Sequence, residues 1–250
     1  MQVSSKKRFY RMNGDLLKVK SLDLDLIKLK KECRRINNKV LANFQDIEFD
    51  IDDNPMYEII NNQLTQGTML SRLYGHYNIF TFPYQGIYGL YQESCRYFKE
   101  ICAYDQPYYI HGWLNYLQPE QSVPWHFHWK GTTGLDETYI STFYINAEPS
   151  TTLHKFPDST ILETTNKNNT ITMYEDVGDQ HMVEPWQGED IRISISMDFV
   201  PLKYLQLPKA VLNPNTWMGN QQIWMSLVVF SRILPGWLSS WIFTINRMLP

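Results

Sequence analysis

The segment VPWHFHWKG, Val123 to Gly131, sets two of the chain's six histidines two residues apart between tryptophans. On an extended strand, residues i and i+2 project from the same face. His126 and His128 therefore point together into one pocket or out from one surface. That geometry suits a metal ion, but two imidazoles alone hold one poorly, so a third ligand and an open coordination position are needed. His181, in GDQHMVEPWQGED, stands eleven residues before Arg192. A strand carrying a histidine, a Pro/Gly turn and a strand that opens with arginine can direct both side chains into one cavity. An arginine there needs an anionic partner, because an unpaired buried charge is costly. No acidic residue is obviously placed for it, and a carboxylate-bearing ligand would satisfy it through a bidentate fork.

The strand that begins at Arg192 is the most legible element. In IRISISMDF, Ile191, Ile193, Ile195, Met197 and Phe199 take one face, and Arg192, Ser194, Ser196 and Asp198 take the other. The first face packs against a hydrophobic layer. The second meets water or lines a polar cavity inside a roll.

Around this strand the chain changes character at about residue 107. Before it, Leu24 to Phe44 has helical periodicity, with Ile27, Cys33, Ile36, Val40 and Leu41 near one stripe. MYEIINNQL predicts a short helix, and GIYGLYQESCRYFKEICAYD a longer one ending before Pro107. DIEFDIDDNP lacks the glycine and terminal glutamate of a calcium loop and reads as a solvated turn. After it, YYIHGWLNYL, PWHFHWKG, ETYISTFYIN, STTLHKF, STILETT, NTITMYED and DIRISISMDFV are short and rich in β-branched and aromatic residues, with turn residues between them. Helices followed by about seven strands predict an antiparallel sandwich or jelly roll with an N-terminal helical buttress. The expected divisions are 1–107 (helical), 108–204 (β core) and 205–250 (apolar extension).

The 250 residues, 43% hydrophobic and 14% aromatic, can bury a sizeable core. A formal charge of −3 gives no basic footprint for nucleic acid. KLKKECRR, Lys28 to Arg35, is a solvated helix face. The three cysteines, Cys33, Cys95 and Cys102, have neither metal-ligand spacing nor an even disulfide count. They fit a reducing, cytoplasmic compartment. The N-terminus shows no apolar core of a secretory signal.

From Trp217 to Pro250 there are four tryptophans and only two charges, Arg232 and Arg247. Arg232 and Pro235-Gly236 interrupt the apolar run, and a central arginine costs about 3 kcal/mol on insertion scales. Two short apolar helices split at Pro235 are expected. They would pack on the domain or on another subunit, or lie peripherally in a membrane interface.

The order WLNYL (113–117), WHFHW (125–129), YISTFYIN (139–146) and GDQHMVEPWQGEDIRISISMDF (178–199) resembles the Fe(II)/2-oxoglutarate-dependent oxygenases, in particular members found in phage and marine microbial genomes. The resemblance covers about Tyr108 to Pro201. It implies a double-stranded β-helix, a jelly roll with iron inside one mouth. It also implies a His-x-acid pair, a distal histidine, and an arginine some ten residues on that grips 2-oxoglutarate. Carried over, His126, His128 and His181 are the metal and catalytic residues. Arg192 anchors the co-substrate, with Ser194 and Tyr144 beside it. His128 stands where the family usually has an acid. A histidine there can still bind Fe(II); the alternatives are His126 and His181 alone, with water completing the set, or Asp136 or Glu137 as the third ligand. His111 and His154 are placed outside the ligand set, and His76 carries no signal.

The activity so implied is a hydroxylase-like dioxygenase that releases succinate and CO2, with ascorbate as an auxiliary reductant and a substrate the sequence does not identify. Trp113, Trp125, Trp129 and Tyr144 could wall the cavity. Two other readings compete. One is a three-histidine cupin-type dioxygenase without 2-oxoglutarate, in which Arg192 has no role. The other is a non-catalytic β-sandwich acting in assembly or at a membrane surface.

Overall fold

The computed structural model describes residues 17–43, 77–204 and 229–230. Among these residues ten antiparallel strands form two sheets. They are β1 (Lys18–Ser21), β2 (Tyr108–Leu117), β3 (Val123–Phe127), β4 (Tyr139–Asn146), β5 (Thr151–Lys155), β6 (Ile161–Thr165), β7 (Thr170–Glu175), β8 (Gln180–Val183), β9 (Arg192–Pro201) and β10 (Val229–Phe230). The larger sheet runs β1-β7-β4-β9-β2-β10 and the smaller β3-β8-β5-β6. Strands that alternate between two facing antiparallel sheets in this order make a jelly roll, the double-stranded β-helix. Among the described residues three α-helices accompany them: α1 (Leu26–Asn43), α2 (Gln85–Ile101) and the short α3 (Trp129–Thr133).

The strand β9 lies between β4 and β2 and is buried along its whole length. Its register with β2 runs unbroken from Tyr108↔Pro201 to Leu117↔Arg192. The apolar face packs outward under the helices: Phe98 of α2 stacks on Phe199 at 4.4 Å and meets Tyr108 and Tyr139 edge-on. Leu29, Cys33, Ile36 and Val40 of α1 join the same core. Ile27, expected on that stripe, is exposed instead, in the first turn of α1. Glu32 of α1 accepts hydrogen bonds from Gly86 N and Ile87 N, and so caps the start of α2 from outside the helix. Gly112 of β2 lets the turn at Ile79–Thr81 approach, since a Cβ there would lie 2.6 Å from the Phe80 ring.

The polar face of β9 points into the roll. Arg192, Ser194, Ser196 and Asp198 are all buried, so of the two readings of that face the cavity lining holds.

Elsewhere the structure departs from the sequence expectations. The strand expected through Gly131 stops at Phe127, and α3 begins at Trp129 with His128 at its N-cap. Asp176 fixes this corner, accepting from Lys130 N at 2.7 Å and Gly178 N at 2.8 Å. The strands β1 and β8 are too short, at four residues each, to show alternation in the sequence. Val229–Phe230, expected in an apolar helix, pair with Tyr109 and Tyr108 as a short edge strand. Sheet pairing there outweighs the helical reading of an apolar run. The rest of 205–250, the predicted helix in 56–64 and the acidic turn lie outside the described residues, as does His76. Cys33, Cys95 and Cys102 are buried, and among the described residues they form no disulfide. Among the described residues no helix is long and apolar enough to cross a membrane.

Candidate metal centre

Three histidines form a row across the smaller sheet. His126 of β3 sits opposite His181 of β8, which sits opposite His154 of β5. A register shift between Val123 and His126 sets the pairing of β3 with β8. His128, two residues on and still extended, turns its ring to the same side. One ring nitrogen from each of His126, His128 and His181 lies within 4.8 Å of the others, and the Nε2 atoms of His128 and His181 are 3.4 Å apart. Two nitrogens bound at right angles to one cation at about 2.1 Å would be ~3.0 Å apart. A small contraction would bring the His128–His181 pair to ligand distance.

The hydrogen bonds fix which nitrogen faces inward. His126 Nδ1 donates to the Pro124 carbonyl at 2.8 Å. His128 Nδ1 donates to Asp198 Oδ1 at 2.7 Å. Tyr174 Oη donates to Asp179 Oδ2 at 3.1 Å and stands 3.4 Å from His181 Nδ1, which therefore donates to it. Each δ nitrogen thus carries the proton, and each ε nitrogen presents a lone pair to the cluster. A divalent cation is the partner this donor set suits.

Burial, then the neighbouring His128, hold His126 down at about 4, while burial followed by the other imidazoles holds His181 well below the ordinary range. Both are neutral near pH 7, the state a ligand requires. Burial also depresses His128, but Asp198, by its charge and its hydrogen bond, outweighs this and raises it. A cation must therefore compete with a proton at His128. The buried carboxylates of Asp179 and Asp198 pair with no Lys or Arg among the described residues. Asp179, at 0% exposure, keeps its Oδ1 without a hydrogen-bond partner among the described residues. Buried negative charge of this kind fits a cation seated beside it.

A second group, His154, Asp179 and His181, also has its ligand atoms within 4.8 Å. The Tyr174 hydroxyl stands among them, 3.4 Å from His154 Nδ1, 3.1 Å from Asp179 and 3.4 Å from His181 Nδ1. Burial raises that phenol far above its ordinary range, so it stays a neutral donor. This group is a hydrogen-bonded support for His181. Asp136 and Glu137, the alternative third ligands, are engaged elsewhere: Asp136 accepts from Lys130 at 2.6 Å, and Glu137 pairs with Lys203 at 2.5 Å.

At the other end of the polar face of β9, Arg192 is 1% exposed. Its Nε donates to Ser150 Oγ at 3.2 Å and one terminal nitrogen to Ser194 Oγ at 2.9 Å. The Tyr144 ring lies 6.0 Å from the guanidinium carbon. No carboxylate among the described residues pairs with Arg192. Burial lowers it to about 10, which leaves it charged at neutral pH. The structure thus gathers the three sequence-predicted histidines, and separately Arg192, Ser194 and Tyr144. Trp113 stacks on His128 at 5.7 Å, and Trp129 Nε1 donates to Asp198 Oδ2 at 2.9 Å. Trp125, on β3, is half-buried. His111 lies opposite Asp198 in the register and stays half-exposed. The sequence reading missed Asp198, Asp179 and Tyr174 as site residues. For Asp198 a signal existed, since it shares a strand face with Arg192.

No family model matches the chain, and no curated protein does. Among solved structures it is similar to a 2OG-Fe(II) oxygenase family oxidoreductase from Burkholderia pseudomallei, with 10% identity, TM-score 0.37, and 42% of this chain and 49% of that one covered. It is similar to the non-heme monooxygenase ThoJ in its nickel complex, with 10% identity, TM-score 0.45, and 74% and 73% covered. It is also similar to a Pseudomonas putida prolyl-4-hydroxylase, with 14% identity, TM-score 0.40, and 74% and 92% covered. The match spans about half the length of the first of these. None of the three lends this chain an activity.

Proposed function

We propose that this chain is an Fe(II)/2-oxoglutarate-dependent oxygenase. The observation that carries the reading is Arg192, a buried cation without a carboxylate partner among the described residues, on the same strand face as Asp198, which holds His128. A dicarboxylic acid supplies the missing anion at one end, and its 2-oxo acid end suits a metal held by three neutral imidazoles. With iron bound, the site would convert 2-oxoglutarate, O2 and a C–H substrate to succinate, CO2 and the hydroxylated product.

The residues contribute positioning. His126, His128 and His181 would hold the metal through Nε2 and leave other coordination positions open. Arg192 would orient the co-substrate by its distal carboxylate, with Ser194 and Ser150 holding the guanidinium fork in place. Trp113, packed on His128, would keep water from that side. Neither the hydroxylated substrate nor a partner is assigned.

A cupin-type dioxygenase that dispenses with 2-oxoglutarate has one observation in its favour, the all-histidine ligand set. It leaves Arg192 buried and charged for no purpose. Incubation of the Fe(II)-loaded protein with 2-oxoglutarate in air separates the two. Succinate formation that is lost in His181→Ala is expected. Oxygen consumption that ignores 2-oxoglutarate would favour the cupin-type reading.

A further inference from the structure

A carboxylate among iron's protein ligands brings negative charge directly to the metal, and three imidazoles do not. Two carboxylates nevertheless lie close behind this cluster, each reaching it through hydrogen bonds. Asp198 Oδ1 accepts from His128 Nδ1 at 2.7 Å, with both side chains buried. Its other oxygen accepts from Trp129 Nε1 at 2.9 Å, so both oxygens are held. Asp179 accepts from the Tyr174 hydroxyl, which faces His181 Nδ1 at 3.4 Å. Asp179 lies wholly out of solvent with Oδ1 unpartnered among the described residues, an expensive placement for a surplus charge. Neither carboxylate has a Lys or Arg counter-ion among the described residues.

We propose that Asp198, through His128, and Asp179, through Tyr174 and His181, give the three-histidine centre the negative charge that a carboxylate ligand would otherwise bring. Both are positioning residues. Each fixes the proton of its imidazole on Nδ1, makes Nε2 the stronger donor, and favours the higher oxidation state of a bound iron by Coulombic attraction. His128 can then stand where an acid is usual, because the acid is displaced outward by one imidazole. The inference rests on the metal-centre half of the oxygenase reading and not on its 2-oxoglutarate half.

The experiment compares wild type with Asp198→Asn, Tyr174→Phe and Asp179→Asn, in the full chain, with melting temperature recorded for each. Co(II) affinity is measured without 2-oxoglutarate, and the Fe(III)/Fe(II) midpoint potential of the loaded protein is then titrated. Asp198→Asn keeps an acceptor for Trp129 but loses the charge. Co(II) affinity should fall 10–100-fold, the range expected when such outer partners are removed. Fe(III) should lose at least tenfold more affinity than Fe(II), an upward shift of about 59 mV or more for a one-electron couple.

Tyr174→Phe, which cuts the link to Asp179 without altering a charge, should shift the potential the same way by less. It stands in for Asp179→Asn if that variant does not fold. An unchanged potential in Asp198→Asn and Tyr174→Phe, even with weaker metal binding, would overturn the proposal by reducing both residues to structural props. Normal metal behaviour with no 2-oxoglutarate binding would instead defeat the co-substrate half of the oxygenase reading and leave this inference standing. Failure of wild type to bind Co(II) and Fe(II) would defeat both.

Discussion

His128 and Asp198 are 70 residues apart in the chain, yet their buried side chains meet in a 2.7 Å hydrogen bond. That bond joins the two sheets of the roll, one residue following β3 and the other lying on β9. Asp198 shares its strand face with Arg192, so a single strand supports the metal ligand at one end and presents the guanidinium at the other.

Replacing Arg192 with lysine exchanges a planar fork for a point charge in the same pocket. Apparent 2-oxoglutarate affinity should fall tenfold or more, about 1.4 kcal/mol, while metal content stays unchanged. Calorimetric titration together with metal analysis of the two proteins checks this. Equal 2-oxoglutarate affinity would remove Arg192 from the anchoring role.

The two histidine groups are told apart by substitution. His126→Ala removes a ligand of the three-histidine set, and bound divalent metal per chain should collapse. His154→Ala removes a partner of Tyr174 and Asp179 outside that set, and should retain close to full stoichiometry at saturating metal. The reverse pattern would place the metal at His154, Asp179 and His181.

Much of this centre could be read from the sequence, and the reasons are local. The His126/His128 pair and the alternation from Ile191 to Phe199 are short-range patterns that a strand converts directly into shared faces. The role of Asp198 was hidden because alternation gives a face but not what that face meets. Its partner comes from the other sheet, 70 residues away. Asp179 was hidden for another reason: it lies in the turn before β8, a strand of only four residues that does not announce itself, and that turn rests on Gly178 at φ +81°. Tyr174 lies on β7, where alternation again gives a face but not its partners. The helix at Trp129 likewise interrupts a run whose composition suits a strand.

Metal-free stability should depend on pH with a definite sign. His126 and His181 have folded values below the ordinary 6.5, so the unfolded chain binds protons more readily and falling pH favours it. The stability they contribute is full above about 6.5 and is lost as pH falls toward their folded values, about 4 for His126. His128 is raised and acts oppositely: its contribution is full below its unfolded value and is lost as pH rises through its folded value. Two depressed groups against one raised group predict a net loss of stability on acidification below about 6.5. Urea unfolding of the chelated protein between pH 7 and pH 4.5 checks the direction, and a rise in stability on acidification would contradict it.

The buttress should matter for folding and not for metal choice. Phe98 stacks on Phe199 and touches Tyr108 and Tyr139, so Phe98→Ala should cost about 3–5 kcal/mol. Denaturant unfolding measures this. A cost below about 1 kcal/mol would mean that α2 is not part of the cooperative core.

The most direct test of the central claim is an anaerobic titration of the Fe(II)-loaded protein with 2-oxoglutarate, followed by visible absorption. A saturable band that requires both components, and that shifts to higher 2-oxoglutarate concentration in Arg192→Lys, is the predicted result. Fe(II) binding with no spectral response to 2-oxoglutarate at millimolar concentration would contradict the account.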